Sequence, residues 1–359
     1  MLILSSRPGP PAISVLFDPE SGDLMGVVNA GVDLLLRPSA QVGVSDVRRL
    51  ELLTRTLRAA DHRHGGRACR GDVLATLSMG RRMLASASTQ RVHAELCPAV
   101  ADLHNLAGWV SFDCGLTATA LGHFNSALAL AAAERNHALI ADVRYRMGHV
   151  YLHQGTAHEA IRQFGLGQHA AKQSGDHGVT HAVLLAHQAR ALARVGDGRQ
   201  ALSMLGRSVA HFSQADPATA PPWTELVDSA EIAAMIGTAH TELARYVDVS
   251  FTRSAIVTLS SALTGYGNTR HRSRSLTEIS LAINRILAGD LEQGLATASR
   301  ALELSAALRS TRVRDRFIVL ERELAKHLGS VEVQRVAGRI TEFVARQSVP
   351  DRHGRGRRK

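Results

Sequence analysis

Aromatic residues supply only 4% of this 359-residue chain. That scarcity argues against a β-sandwich, whose faces rely on aromatic and β-branched side chains. Proline is absent between Pro98 and Pro217, a gap that suits several uninterrupted helices. The three cysteines, Cys69, Cys97 and Cys114, are odd in number and lack C-x-x-C spacing. They read as free thiols in a reducing compartment rather than a disulfide framework. A long apolar run is missing too. The stretch from Gly115 to Ala133 carries no charge, but it is rich in Ala, Thr and Gly and is interrupted by His123 and Asn125. A spanning helix needs about 20 predominantly apolar residues, so no membrane association is expected. The opening "MLILSSRPGPPAIS" has neither the basic start nor the longer apolar core of an export signal. A cytoplasmic protein is the expectation.

Alanine and leucine are abundant, and the length provides for one large or two medium domains with an ample core. The net charge is +10, but much of it is local. The tail "RHGRGRRK" holds Arg352, Arg355, Arg357, Arg358 and Lys359 and no acid. Short, polar and broken by glycine, it is not expected to fold. Such a tail either contacts nucleic-acid phosphates without specificity or simply aids solubility, the latter being the better account.

The central part of the chain repeats itself. Gly108 precedes Ser111, Gly115 ends a segment, and Ala120-x3-Phe124-x2-Ala127 follows. Forty residues on, Gly148, Tyr151 and Gly155 lead into Ala160-x3-Phe164-x2-Gly167. Another forty-one residues on, Ala189, Leu192 and Gly196 lead into Ala201-x3-Leu205-x2-Ser208. Weaker copies put Gly237 and His240 before Ala255-x3-Leu259-x2-Ala262, and Ala282 and Gly289 before Gly294-x3-Ala298-x2-Ala301. The spacing describes a helix pair. A small residue in the first helix admits a large one from the second, and Gly115, Gly155, Gly196 and Gly289 supply the positive φ of a tight helix end. One pair cannot bury its own face, so pairs stack.

Upstream, residues 45–87 read as two more helices, with Ser45 and Asp46 as capping residues and a break at Gly65 and Gly66. Residues 1–41 hold several prolines and no sustained period, and are expected to be poorly ordered. "PATAPPW" (217–223) reads as a loop, and "RVRDRFIVLERELAKHL" as a helical, solvating cap.

The repeat resembles the tetratricopeptide pattern W-x2-L-G-x2-Y, then A-x3-F. The match is good over 101–134, 141–174 and 182–215 and degenerate over 230–263 and 275–308. The longer spacing and the missing closing proline depart from it, and HEAT-like pairs are the alternative. The phrases "DHRHGGRACRGDVLATL", "DLHNLAGWVSFDCG", "RMGHVYLHQG" and "AEIAAMIGTAHTELA" together resemble the tetratricopeptide regulators of filamentous actinobacteria. Many of these carry a Cro/repressor-type helix-turn-helix. Residues 1–41, with Pro8, Pro10, Pro11, Pro19 and Pro38, do not fit that module, which is expected to be missing.

Little points to catalysis. His62, His64 and Cys69 are near one another, but no fourth metal ligand stands at suitable spacing. "GLGQHA" sits on a helix, where its glycines serve close packing rather than phosphate. "AHEAIRQF" lacks the second histidine of a metalloprotease helix. No catalytic residue, cofactor or metal is assigned.

The expectation is therefore an all-α, right-handed superhelical solenoid of tetratricopeptide-like helix pairs over 42–345, followed by a basic disordered tail, 346–359. Its function is non-enzymatic: binding a protein or peptide partner in transcriptional or developmental regulation. The groove positions of the first helices are Asn105, Trp109, Tyr145, His149, Arg190 and Thr238, residue types that include favoured anchors. They are expected to face a ligand, with Arg190 and Tyr145 adding little to stability; the alternative is that Trp109 and Tyr145 are core fillers between neighbouring pairs. A homodimer is a further partner considered. The alternative function is a nucleic-acid-binding transcriptional regulator acting through the tail.

Overall fold

The protein was analysed as a computed structural model that describes residues 42–348 apart from 88, 176–177, 217–219, 268–269 and 309. The N-terminal segment 1–41, most of the basic tail and the first part of the 217–223 loop lie outside the described residues. Among the described residues there are fourteen α-helices and no strand. They are α1 (Val44–His64), α2 (Gly66–Ala85), α3 (Gln90–Asp113), α4 (Thr117–Ala133), α5 (His137–His153), α6 (Ala157–Gln173) and α7 (Val179–Arg194). After these come α8 (Gly198–Ser213), α9 (Ser229–Tyr246), α10 (Thr252–Gly265), α11 (His271–Leu287), α12 (Leu291–Ser305), α13 (Thr311–Leu324) and α14 (Val331–Ser348).

Each odd-numbered helix packs against the even-numbered helix that follows it, and against the next odd-numbered one. The packing follows the repeat register. Ala120, Phe124 and Ala127 are fully buried, as are Ala160 and Phe164, and so are Ala255, Leu259 and Ala262. Within a pair the glycine is a steric necessity. A Cβ on Gly108 would stand 2.6 Å from Cε1 of Phe124, one on Gly237 would stand 2.7 Å from Leu259, and one on Gly148 would run into the Phe164 ring. Gly167, in the stretch that mimics a phosphate loop, approaches Leu184 in the same way. At the turns Gly115, Gly155, Gly196 and Gly289 adopt φ of 81°, 80°, 83° and 85°, where a side chain would be strained.

Local details depart from expectation. The first helix is entered at Gly43, and Asp46 reaches back from inside it to accept the Gly43 N–H at 3.0 Å. Ser45 is the second helical residue and not a cap. Helix α14 continues through Ser348, past the boundary expected at 345. The uncharged run forms the turn and α4, and among the described residues no helix is long and apolar enough to cross a membrane.

The larger correction concerns α13. Expected as a solvating cap, it buries Val313, Phe317, Leu320 and Leu324 completely, in a core shared with α11, α12 and α14. Its hydrophobic face is a helical stripe at i, i+4 and i+7, which must be covered on folding. The row of odd-numbered helices also folds back, with α11 touching α1 and α13 touching α3.

Because the two rings fill their pairs completely, Phe124→Ala and Phe164→Ala are each expected to cost roughly 3–5 kcal/mol. Gly148→Ala should cost ~1–3 kcal/mol by overpacking the same contact. Urea unfolding of each variant checks this. A wild-type midpoint for both Phe variants would show that these rings do not hold their pairs together.

Candidate functional site

All six expected groove residues lie on odd-numbered helices: Asn105 and Trp109 on α3, Tyr145 and His149 on α5, Arg190 on α7 and Thr238 on α9. They do not form an open face. Asn105 is fully buried and donates to Asp142 at 2.6 Å. Asp142 also accepts from Arg146 at 2.9 Å and has Arg58 within 4.0 Å. Trp109 is 6% exposed and has two guanidinium groups over its ring, Arg312 at 4.5 Å and Arg146 at 4.9 Å. Tyr145 stacks on Trp223 at 5.4 Å and meets His149 and His187 edge-on or tilted at 4.8 and 5.3 Å. Arg190 is consumed by an ion pair with Glu242 at 3.1 Å. Thr238 is half-buried and lines neither this aromatic cluster nor the cavity described below. Asn105, Trp109, Tyr145 and Arg190 thus do not stand free as expected: α5, α13, the Pro222–Thr224 turn with α7, and α9 respectively bring partners to them.

Burial sets the protonation of the cluster. It pushes the Tyr145 phenol up to about 12. It drives His187 down to about 3, helped by the nearby Arg190 and Arg316, and holds His149 well below the ordinary imidazole value. Both imidazoles are neutral at pH 7.

Two carboxylates organise the surrounding arginines. Asp113, at the end of α3, accepts from the Gly66 N–H at 3.0 Å, Ser310 Oγ at 2.7 Å and Arg312 Nε at 3.0 Å, with Arg272 at 3.8 Å. Glu242, on α9, is fully buried among Arg194 at 2.8 Å, Arg190 at 3.1 Å, Arg245 at 3.3 Å and Arg316 at 3.9 Å. Burial alone would raise the Glu242 carboxyl, but Arg190, Arg194 and Arg316 outweigh it and hold it far below the usual range.

Beside Glu242 is a cavity of about 460 Å³. Six arginines line it: Arg190, Arg194, Arg245, Arg312, Arg316 and Arg322. Glu242 and Asp315 are its acids, and Asp315 is engaged by His153 at 2.8 Å and Arg314 at 2.6 Å. Leu276, Ile318 and Val319 give it an apolar wall. This arrangement suits binding of an anion more than proton transfer, since burial keeps His149 neutral and guanidinium groups are donors only.

Of the site residues, sequence reasoning singled out Arg190 and His149 and missed the rest. The signals were present but ambiguous. Arg190 and Arg194, and Arg312 and Arg316, stand four apart on one helical face, a spacing equally suited to solvent.

The other chemistry-bearing residues lie apart from this cavity. His62 and His64 are exposed while Cys69 is buried, its thiol pushed up to about 12 by burial. His93, Cys97 and Glu134 do place one donor atom each within 4.8 Å of one another. Three donors, two of them on exposed residues, supply only part of a tetrahedral zinc shell.

Comparison with known proteins finds no family model that matches the chain and no curated protein that resembles it.

The buried titratable groups give stability a defined pH dependence. His149 and His187 have folded pKa values below the unfolded one of about 6.5, so their contribution is present above that pH and is lost as pH falls through it. Glu242 is depressed in the same sense, and its contribution is lost below about pH 4.3. Stability should therefore decline in two steps on acidification, and His187→Gln should shrink the first. Glu242→Gln should cost about 3–5 kcal/mol at pH 7 by leaving buried guanidinium groups without their anion. Thermal melts at a series of pH values test both, and a flat profile between pH 5 and 7 would contradict the histidine assignment.

Proposed function

We propose that the chain is a non-catalytic regulatory protein, a right-handed superhelix of tetratricopeptide-like helix pairs, that acts by binding a protein or peptide partner on the inner side of its odd-numbered helices. The observation that carries this reading is the recurrence of one packing unit. Gly108 meets Phe124, Gly148 meets Phe164 and Gly237 meets Leu259 at equivalent places in three of the pairs. Stacked repeats of this kind present an extended inner face. Charged and aromatic side chains gather on that side beyond what pair packing needs. The resemblance to actinobacterial tetratricopeptide regulators favours a role in transcriptional or developmental control in the cytoplasm.

The fold-back of α13 changes which residues serve such a role. Asn105 and Trp109 act as scaffold, while half-buried Thr238 and exposed Tyr246, at the cavity rim, remain accessible to a partner. Thr238→Arg and Tyr246→Ala should weaken capture of the partner from native lysate about tenfold or more, at least ~1.4 kcal/mol, with melting temperature little changed. Undiminished capture by both variants would move the partner to another face.

The tail supports a second reading, since residues 352–359 carry five cations and no acid. Any duplex DNA binding by the purified chain should be nonspecific, fall steeply with added salt, and vanish when those residues are deleted. A sequence-specific footprint that survives the deletion would replace partner binding with direct DNA recognition.

A further inference from the structure

The arginine-lined cavity is not electrostatically closed. Around Asp113 the charges balance, because Arg272 and Arg312 face Asp113 and Asp61. Around Glu242 they do not. Arg190, Arg194, Arg245 and Arg316 share Glu242, and the only other carboxylate in ion-pair reach of any of them among the described residues is Glu323, 3.5 Å from Arg245. Four cations against two anions leave an excess of two positive charges. Glu323 is further shared with Lys326, and Arg322 at the rim forms no ion pair among the described residues.

Two features agree with that count, and a general argument supports it. Side chains lining the cavity carry buried nitrogens with no hydrogen-bond partner among the described residues: Arg194 Nε, Arg312 Nη2 and His149 Nε2. The guanidinium group of Arg316 is pushed down to about 9 by burial and by the neighbouring Arg190, although Glu242 opposes this. Even so it stays charged at neutral pH. Finally, burying several like charges with too few counterions costs stability, and proteins keep such an arrangement where it serves a ligand.

We propose that this cavity binds a small organic phosphomonoester. Its dianionic phosphate is held by Arg190 and Arg194 from α7, Arg245 from α9 and Arg316 from α13, and its organic body lies along Leu276, Ile318 and Val319. The charge of a phosphomonoester near neutral pH, about −2, matches the excess. Guanidinium forks are suited to phosphate oxygens, and a tetrahedral group can accept them from three helices at once. Glu242, a single carboxylate, already meets arginines of the same three helices and leaves part of their charge uncompensated, which a doubly charged phosphate would offset. The volume of about 460 Å³ is within the range of small-molecule sites, about 300–1,000 Å³, and exceeds what a phosphate alone occupies. It is too small for a folded partner. Such a ligand would fasten α13 to α7 and α9, and so set how firmly the fold-back closes over the inner face. The cavity stands on its own geometry and charge, so the inference does not depend on the partner-binding reading.

The test uses the full chain, thermal melts and titration calorimetry at matched ionic strength. Glucose 6-phosphate and AMP are the phosphomonoester probes, with inorganic phosphate and succinate as the comparison arms. The phosphomonoesters should raise the melting temperature and bind more tightly than phosphate alone. Arg316→Gln should weaken them at least tenfold while leaving the ligand-free melting temperature equal to or above wild type, because it relieves like-charge crowding. Arg322→Gln, at the rim, provides a second variant with no buried partner to lose and should weaken binding several-fold. No response to either phosphomonoester overturns the proposal, as does a response that Arg316→Gln and Arg322→Gln leave intact. Succinate binding as tightly as the esters overturns the phosphate assignment. A large loss of stability in Arg316→Gln, without any binding by wild type, would make the cluster purely structural.

Discussion

A carboxylate withdrawn from water must be met by cations and hydrogen-bond donors, or the fold around it fails. Asp113 imposes that requirement on this protein. It ends α3, yet its partners come from the start of α2, from the residue before α13, from α13 itself and from α11. Ser310 and Arg312 are nearly two hundred residues further along the chain. The early and late helix pairs cannot separate without exposing or orphaning this group, so it couples the fold-back to the stacking of the pairs. Arg312 also completes the cover over Trp109, which links the ion pair to an aromatic core.

Apart from Thr238, the groove positions are engaged within the chain. An inner face of stacked helix pairs would be open if the chain ran on in one direction. Here α13 lies against it, and side chains suited to a ligand find partners within the chain. Asn105 is bound by Asp142 and Arg190 by Glu242. Tyr145, His149 and His187 pack ring against ring with Trp223. Removing any of them would leave another buried group without its partner, so their contributions to binding and to stability are not separable by simple truncation.

The two carboxylate centres differ in a way that bears on function. Asp113 and Asp61 meet Arg272 and Arg312 in equal number. Glu242 is oversubscribed, with arginines from three helices converging on one carboxylate. A structural ion pair has no use for surplus cations, whose mutual repulsion weakens the compact state. An anionic ligand does, and its arrival would join the same helices that the fold-back brings together.

Much of the helical framework was legible in the residues themselves. Ala120-x3-Phe124-x2-Ala127 and its copies mark one face of a helix at a period of 3.6, and Gly108 and Gly148 mark where a neighbour must come close. Gly115, Gly155, Gly196 and Gly289 mark the turns, since a positive φ is a local demand. These signals act over a few residues, so sequence alone determined the helix pairs and their internal register. The polar residues were not legible in this way. Glu242 lies in an ordinary amphipathic helix, Arg312 and Arg316 in a segment that reads as solvated, and Asp113 beside a turn. Whether each faces water or a buried counterion depends on which distant helix covers it. Only the tertiary structure decided that, because a charge pair is specified by proximity in space and leaves no periodic trace along the chain.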